Sequence, residues 1–191
     1  PEVADDLAAG RGNARYLPGF DLSSSLEATS DLGAAVIGAD MVLVAVPTHG
    51  FRDTIVSAAP RIGADPPVFS LAKGFERGSG LRMTQVLAQV LPGRPVGVLT
   101  GPNLAKEILA GQSAATVVAC TDPTVAVGLQ SLLASERLRV YTNDDLVGCE
   151  IGGAFKNVIA LAAGMAEGLG AGDNARAALI TRGLAELSQL G

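Results

Sequence analysis

Lysine is rare in this chain of 191 residues, and two of its three lysines occur where they could do chemistry. Lys156 interrupts a run of apolar residues that recur at helical spacing, and Lys73 directly follows a short apolar run. A lysine in such a place either extends its ammonium group into water or holds it in a cleft. In a cleft the group can transfer a proton or bind an anionic oxygen. Burial among apolar helices would disfavour the charged form of Lys156 and suit it to proton transfer.

Other polar residues also follow apolar runs. In GPNLAKE (residues 101–107), Gly101 ends one run and Asn103 is placed to cap the helix that follows, or to bind a ligand, or both. His49 is the only histidine, and it follows Pro47 in a predicted loop. A lone loop histidine is more often structural than catalytic. Acidic residues precede Lys156, but acids in the first turn of a helix are common; these are Asp144, Asp145 and Glu150.

The elements that must position these residues alternate between apolar strand-like runs and helical segments. This alternation predicts an α/β fold with a doubly wound, parallel or mostly parallel sheet and helices on both faces. Ligands bind beyond the carboxyl ends of the strands in such sheets, so Pro47, Lys73 and Asn103 are expected to converge there. The predicted strands are 41–46, 68–72, 96–100, 115–119 and 138–141, with a further short strand at 25–29.

Strand signals stop after Asp144, and two helical segments follow. We expect one helix capped by Asn143 or Asp144 and ending near Gly168, and another capped by Asn174 and ending at Leu190. The apolar residues of the first, including Phe155 and Val158, are expected to form a buried face. We therefore place a domain boundary between residues 143 and 144.

Composition limits the partners that the chain can have. The net charge is −5 and no basic cluster is present, which argues against a nucleic-acid partner. Hydrophobic residues make up 48% of the chain, but no uninterrupted run of about 18 apolar residues predicts a membrane span. Cys120 and Cys149 have no metal-ligand spacing, so we expect no metal site and free thiols in a reducing cytoplasm.

Several motifs agree in order and spacing with one known family. They are LPG (17–19), AKGFE (72–76), GPNLAKE (101–107), FKN (155–157) and GAGDNARAALITRGLAE (170–186). Together they resemble NAD(P)-dependent glycerol-3-phosphate dehydrogenases of the bacterial type. The resemblance implies a Rossmann-like sheet (1–143, a partial dinucleotide-binding domain) followed by the start of an all-α substrate domain (144–191). It also implies interconversion of dihydroxyacetone phosphate and sn-glycerol 3-phosphate with NAD or NADP as cofactor.

The resemblance assigns roles to individual residues. Lys156 matches the catalytic lysine, which protonates the ketone oxygen and also contacts the substrate, and Lys73 matches a lysine that contacts both substrate and cofactor. The remaining substrate-side matches are Gly101, Asn103 and Asn157, and the cofactor-side candidates are Ala105, Tyr16 and Pro47.

The family pattern is incomplete in this sequence. The glycine-rich phosphate loop and the first strands of the sheet are missing, as are downstream residues that grip the substrate phosphate. The missing first strand lies mid-sheet in the family, so we expect this sequence to be part of a longer chain. Two halves of a sheet separated by an unfilled gap, in a stable monomer, would contradict that hypothesis.

Two other functions remain open at this point. Ketopantoate reductase and 6-phosphogluconate dehydrogenase also place a lysine on a helix beside the nicotinamide, although GPNLAKE and ITRGLAE argue against them. A degenerate interaction module without cofactor binding is the alternative of a different class. A cytoplasmic location and a homodimer are compatible with the sequence, which does not choose between NADH and NADPH.

Overall fold

The computed structural model describes residues 2–190, in which helices alternate with the strands of one sheet. The strands are β1 (Val42–Val44), β2 (Val68–Ser70), β3 (Val96–Thr100), β4 (Ala114–Cys120) and β5 (Leu138–Asn143). The helices are α1 (Glu2–Ala8), α2 (Leu32–Val36), α3 (Thr48–Ala58), α4 (Met83–Val90), α5 (Ala105–Leu109), α6 (Pro123–Leu133), α7 (Leu146–Gly168) and α8 (Asp173–Leu187).

The strands lie in the sheet in the same order as in the chain, β1-β2-β3-β4-β5. β1, β2 and β3 are parallel, β4 is antiparallel to β3, and β5 is parallel to β4. The prediction of a mostly parallel sheet is therefore confirmed. Because β4 reverses direction, its amino end lies at the edge where β1, β2 and β3 have their carboxyl ends.

Core residues cover both faces of the sheet. Successive residues of a strand point to opposite faces, and Val68 and Phe69 of β2 accordingly belong to two different hydrophobic clusters. The first cluster contains α3 and α4, and the second contains α6. Gly97 of β3 admits the Phe69 ring, since a Cβ there would lie 2.5 Å from the carbonyl oxygen of Ala119 and against the ring. The doubly wound Rossmann-like fold is confirmed.

The helix that follows β1 shows why these segments fold as they do. Phe51, Ile55 and Ala58 recur every three or four residues and are all buried, so one face of α3 packs on the sheet. Complete burial of a side chain such as Phe51 or Ile55 stabilises the fold by about 1.5–3 kcal/mol. α3 begins at Thr48, which places His49 in its first turn and not in the predicted loop.

The short strand expected at residues 25–29 is absent from the described chain, and this prediction is wrong. Residues 24 and 25 form a turn in which the Leu26 N–H bonds to the Ser23 carbonyl at 3.0 Å. A strand needs a neighbour for its backbone groups, and β1 pairs only with β2 among the described residues. The five strands β1 to β5 form one continuous sheet.

The predicted caps of three helices are also wrong. The side chain of Asp145, not Asn143 or Asp144, caps α7 by accepting from the Gly148 N–H at 2.7 Å. Gly172 and not Asn174 precedes α8, and Leu104 and not Asn103 precedes α5. Before α7, one asparagine and two aspartates stand side by side at residues 143–145, so residue type alone does not select the cap.

α7 and α8 pack against each other, and the first half of α7 also contacts β3 and β4. Gly183 of α8 faces Ile159, where a Cβ would lie 3.0 Å from the isoleucine side chain. The buried apolar face predicted for α7 is wrong in part, because Phe155 and Val158 are exposed. By length and composition α7 is apolar enough to cross a membrane, a weak indication that core helices of soluble proteins also give. The strand-to-helix change falls between Asn143 and Leu146, and the domain boundary stays a prediction.

Candidate active site

Three of the sequence-predicted segments lie at one edge of the sheet. Pro47 directly precedes α3, Lys73 follows the end of β2 by three residues, and Gly101 follows β3 directly. Because β1, β2 and β3 are parallel, their carboxyl ends meet at this edge. The expected convergence of strand ends is therefore present.

α7 adds the second lysine to this edge. Gly153 of α7 is buried, and a Cβ there would lie 3.0 Å from Thr100 Oγ1 and 3.7 Å from Lys73 Cγ. Lys156 follows Gly153 by one helical turn. Burial lowers the pKa of Lys73, and the positive charge of the nearby Lys156 lowers it further. Two ammonium groups that repel each other form a site suited to an anionic oxygen.

Lys156 itself is exposed, as is its neighbour Asn157. The burial expected around Lys156 is therefore missing from the described chain, and Lys73 is also exposed overall, although burial of part of it lowers its pKa. An apolar sequence around a lysine predicts a helix but does not determine which side of that helix is covered.

The side chain of Asn103 has one end fixed and the other end free. The Thr116 hydroxyl donates to the Thr100 carbonyl oxygen at 2.9 Å, so its oxygen accepts from Asn103 Nδ2 at 3.1 Å. This network assigns the amide orientation. Asn103 Oδ1 is buried and has no hydrogen-bond partner among the described residues. A buried acceptor without a partner is costly, and a hydroxyl donor on a ligand would satisfy it.

Gly101 has a packing reason as well as a place near the site. Its φ is +153°, and a Cβ would lie 2.8 Å from the carbonyl oxygen of Ala115. Only glycine fits both the conformation and the space. Close approach of the segment after β3 to the start of β4 allows Asn103 to reach Thr116.

The segment from residue 73 to residue 82, here called the lysine loop, is fixed to the neighbouring helices. On the side of α3, Arg52 donates to both carboxylate oxygens of Glu76 at 2.6 and 2.9 Å. Hydrogen bonds from Arg52 and Ser79 hold the pKa of Glu76 at about 2. On the α7 side, the Phe75 and Phe155 rings pack with centroids 5.7 Å apart.

Glu150 has a structural role that was not predicted from the sequence. Its carboxylate is buried between α7 and the start of α4, where it accepts from the Thr84 N–H at 2.9 Å and from Arg82 Nη1 at 2.5 Å. It makes no pair with Lys156. The sequence shows only an acidic residue near the start of an apolar helix. Acidic residues are common in the first turn of helices, so this one did not stand out.

The cofactor-side candidates differ in their surroundings. Pro47 is exposed and precedes the eleven residues of α3, whose first N–H groups receive no side-chain cap. Such a helix start at the carboxyl edge of a parallel sheet fits the polar and anionic groups of a nicotinamide cofactor. Ala105 is exposed at the first position of α5. The contacts of Tyr16 are local, with Asn13 and Arg15.

Neither cysteine has the features of a nucleophile. Both thiols are free, and burial raises the pKa of Cys120 and of Cys149. Among residues 2–190, no three histidine, cysteine, aspartate or glutamate side chains are grouped to hold a metal ion.

Comparison with known proteins identifies the family of this chain. Residues 1–126 match the family model "NAD-dependent glycerol-3-phosphate dehydrogenase N-terminus", and residues 145–191 match the corresponding C-terminus model. The chain is 54% identical over 190 residues to glycerol-3-phosphate dehydrogenase [NAD(P)+] 2 of Sphingopyxis alaskensis, covering 100% of this chain and 57% of the relative. It is 49% identical to the enzyme of the same name without the numeral from Corynebacterium jeikeium, covering 99% of this chain and 58% of that relative.

The fold agrees with a solved structure of the same kind. The crystal structure of glycerol-3-phosphate dehydrogenase from Coxiella burnetii superposes with a TM-score of 0.91 at 38% identity, covering 99% of this chain and 58% of that chain. The chain thus spans a little more than half the length of the relatives that it matches.

Proposed function

The chain belongs to the family of NAD-dependent glycerol-3-phosphate dehydrogenases, and we propose that it is part of an enzyme that interconverts dihydroxyacetone phosphate and sn-glycerol 3-phosphate. The cofactor of this proposal is NAD or NADP, in agreement with the names of the relatives. The observation that carries the proposal is the approach of Lys156 to Lys73 at the carboxyl edge of the parallel strands.

In this proposal Lys156 is the general acid. Its ammonium group donates a proton to the ketone oxygen of dihydroxyacetone phosphate, which becomes the hydroxyl of glycerol 3-phosphate. In the oxidative direction the neutral amine accepts that proton from the hydroxyl. General acid–base catalysis of this kind contributes a factor of about 10²–10⁴ to the rate.

The neighbouring residues bind and orient the substrate. The Lys73 ammonium stabilises negative charge on the reacting oxygen of the substrate or on the bound cofactor. The unpaired Asn103 Oδ1 accepts a hydrogen bond from a substrate hydroxyl. Gly101 keeps the chain close to β4 so that Asn103 is held by Thr116. Asn157 is the remaining substrate-side candidate, next to Lys156 on α7.

Pro47 with the start of α3, Ala105 and Tyr16 are proposed to lie on the cofactor side. When bound, the nicotinamide supplies the hydride in one direction and accepts it in the other. The proposed location is the cytoplasm and the proposed assembly a homodimer. Absence of nucleic-acid partners and of a membrane span also remains a prediction.

Activity measurements test this function. We expect the protein in its natural length to oxidise NADH or NADPH when dihydroxyacetone phosphate is added, followed by the loss of cofactor absorbance. Lys156→Met should lower kcat by a factor of about 10²–10⁴ because the proton donor is gone. Lys106→Met, an exposed lysine of α5, serves as the matched control and should keep normal turnover.

Two results would contradict the proposal at different points. A natural-length protein that turns over no dihydroxyacetone phosphate with either cofactor would exclude the reaction. Normal kcat in the Lys156→Met variant would leave the reaction standing and remove Lys156 from its role.

A further inference from the structure

Glu150 is only 8% exposed, and both oxygens of its carboxylate accept hydrogen bonds. Oε1 accepts from the Thr84 backbone N–H at 2.9 Å. Oε2 accepts from Arg82 Nη1 and from the Thr84 hydroxyl, both at 2.5 Å. A charge this deeply buried is retained only where it is paired and hydrogen-bonded, as it is here.

This ion pair is better explained by geometry than by stability. Well-packed apolar residues of similar volume often stabilise a fold as well as a buried ion pair does, whereas hydrogen bonds fix direction and register. Arg82 immediately precedes α4, and its backbone bridges to Phe75 within the lysine loop. The ion pair therefore connects α7 directly to Arg82 at the end of the lysine loop, and through the Arg82 backbone to Phe75 near its start.

Three contacts of α7 with the lysine loop and the start of α4 follow one another along the helix. Glu150 bonds to Arg82, Gly153 approaches Lys73, and the Phe155 ring packs on Phe75. Lys156 comes directly after the last of these contacts. The loop that carries one lysine is thus the surface on which the helix carrying the other lysine rests.

We propose that Glu150 is a positioning residue, which acts through Arg82 and Thr84 to fix the rotation of α7 against the lysine loop and so to set Lys156 opposite Lys73. The reaction that this arrangement serves is the one given under Proposed function, and the inference rests on it. Glu150 does not contact the reacting atoms in this account. Its effect is the placement of the proton donor.

The first test is Glu150→Gln, which keeps the size of the side chain and removes its charge. We expect kcat per folded molecule to fall about tenfold or more, because small displacements of a proton donor are costly, while KM for the cofactor stays within about twofold. The matched control is Leu129→Ala, a fully buried residue of α6 away from α7. It should lower the thermal unfolding temperature and leave kcat unchanged when both are measured well below that temperature.

The second test needs no turnover. Lys73 is titrated by NMR in protein with ¹³C-labelled lysine, with Lys73→Arg and Lys156→Arg to assign the signals. Lys156 on α7 is the charged group that acts on Lys73, while Glu76 is paired with Arg52 and Glu150 with Arg82. In the Glu150→Gln protein, α7 should be held less firmly against the lysine loop. Lys73 would then lose burial and the repulsion from Lys156, and its pKa should rise.

Unchanged kcat in Glu150→Gln, or a fall equalled by Leu129→Ala, would overturn the positioning role. An unchanged pKa of Lys73 would overturn it as well. If the unmodified protein shows no turnover of dihydroxyacetone phosphate, the proposed function fails, and the Lys73 titration still decides whether Glu150 positions α7.

Discussion

At the scale of single residues, the feature that defines this site is a pair of like charges. Folding brings Lys73 and Lys156 close enough that the charge of one lowers the pKa of the other. Such repulsion destabilises the free protein slightly and is relieved when an anion lies between the two groups. Such a site favours anions over neutral molecules of similar shape, as the proposed phosphate-bearing substrate requires.

Gly101 offers a direct test of how tightly the segment after β3 is packed. Gly101→Ala should lower the free energy of unfolding by about 1–3 kcal/mol, because alanine is strained at φ +153° and its Cβ would overlap the Ala115 carbonyl oxygen. Urea unfolding measures the change. Gly128→Ala in α6 is the control, since its Cβ meets nothing within 4 Å and alanine should stabilise the helix by up to about 1 kcal/mol. Equal stability of the Gly101→Ala protein and the unmodified protein would contradict this packing.

At the scale of elements, the lysine loop depends on the Arg52–Glu76 pair for its attachment to α3. The pKa of Glu76 is lowered from 4.5 to about 2, chiefly by the hydrogen bond from Arg52 and then by that from Ser79. A carboxyl group with a lowered folded-state pKa stabilises the fold fully above its ordinary pKa. That contribution is lost as the pH falls from 4.5 through about 2.

Arg52→Met should therefore raise the pKa of Glu76 towards its ordinary value, with Ser79 retaining part of the shift. A ¹³C NMR titration of the Glu76 carboxyl group measures this directly. Arg61→Met removes an exposed arginine shortly after α3 and should leave the titration unchanged. A pKa that stays at about 2 without Arg52 would show that other groups hold the loop.

Elements with a strong periodic pattern were predictable from the sequence, and contacts between distant elements were not. The apolar run at Val96–Thr100 gave β3 with its observed limits, because a buried strand needs little beyond continuous apolar residues. The pairing of Glu150 with Arg82 joins residues 68 positions apart, and no local pattern encodes it. The same holds for Asn103, whose local context predicts a cap whereas its actual partner is Thr116.

At the scale of the whole molecule, the helical region exposes much apolar surface. Leu161 and Met165 of α7 are 69% and 68% exposed, Leu169 directly after α7 is 86% exposed, and Leu184 of α8 is 54% exposed. Exposed apolar side chains that form a large patch favour association. α7 thus carries Lys156 at the sheet edge in its first half and exposed apolar side chains in its second half.

The 191-residue chain studied alone should consequently bind the dye ANS and self-associate as its concentration rises. Leu161→Glu combined with Met165→Glu should reduce both effects, since charge opposes burial of these positions. Leu132→Glu provides the control, because Leu132 is 72% exposed and lies on α6, not on α7 or α8. Light scattering and ANS fluorescence measure the outcome, and a monomer that binds no dye at any concentration would contradict it.

The order of the strands has a consequence for how the sheet assembles. Because β1 to β5 neighbour one another in the sheet as they do in the chain, each strand after β1 pairs with the strand that precedes it in the chain. Folding rates rise as contacting residues lie closer in sequence, and domains begin to fold during synthesis. We therefore expect the partner of each strand from β2 to β5 to leave the ribosome first, so that the sheet can grow by addition at one edge before α7 and Lys156 are translated.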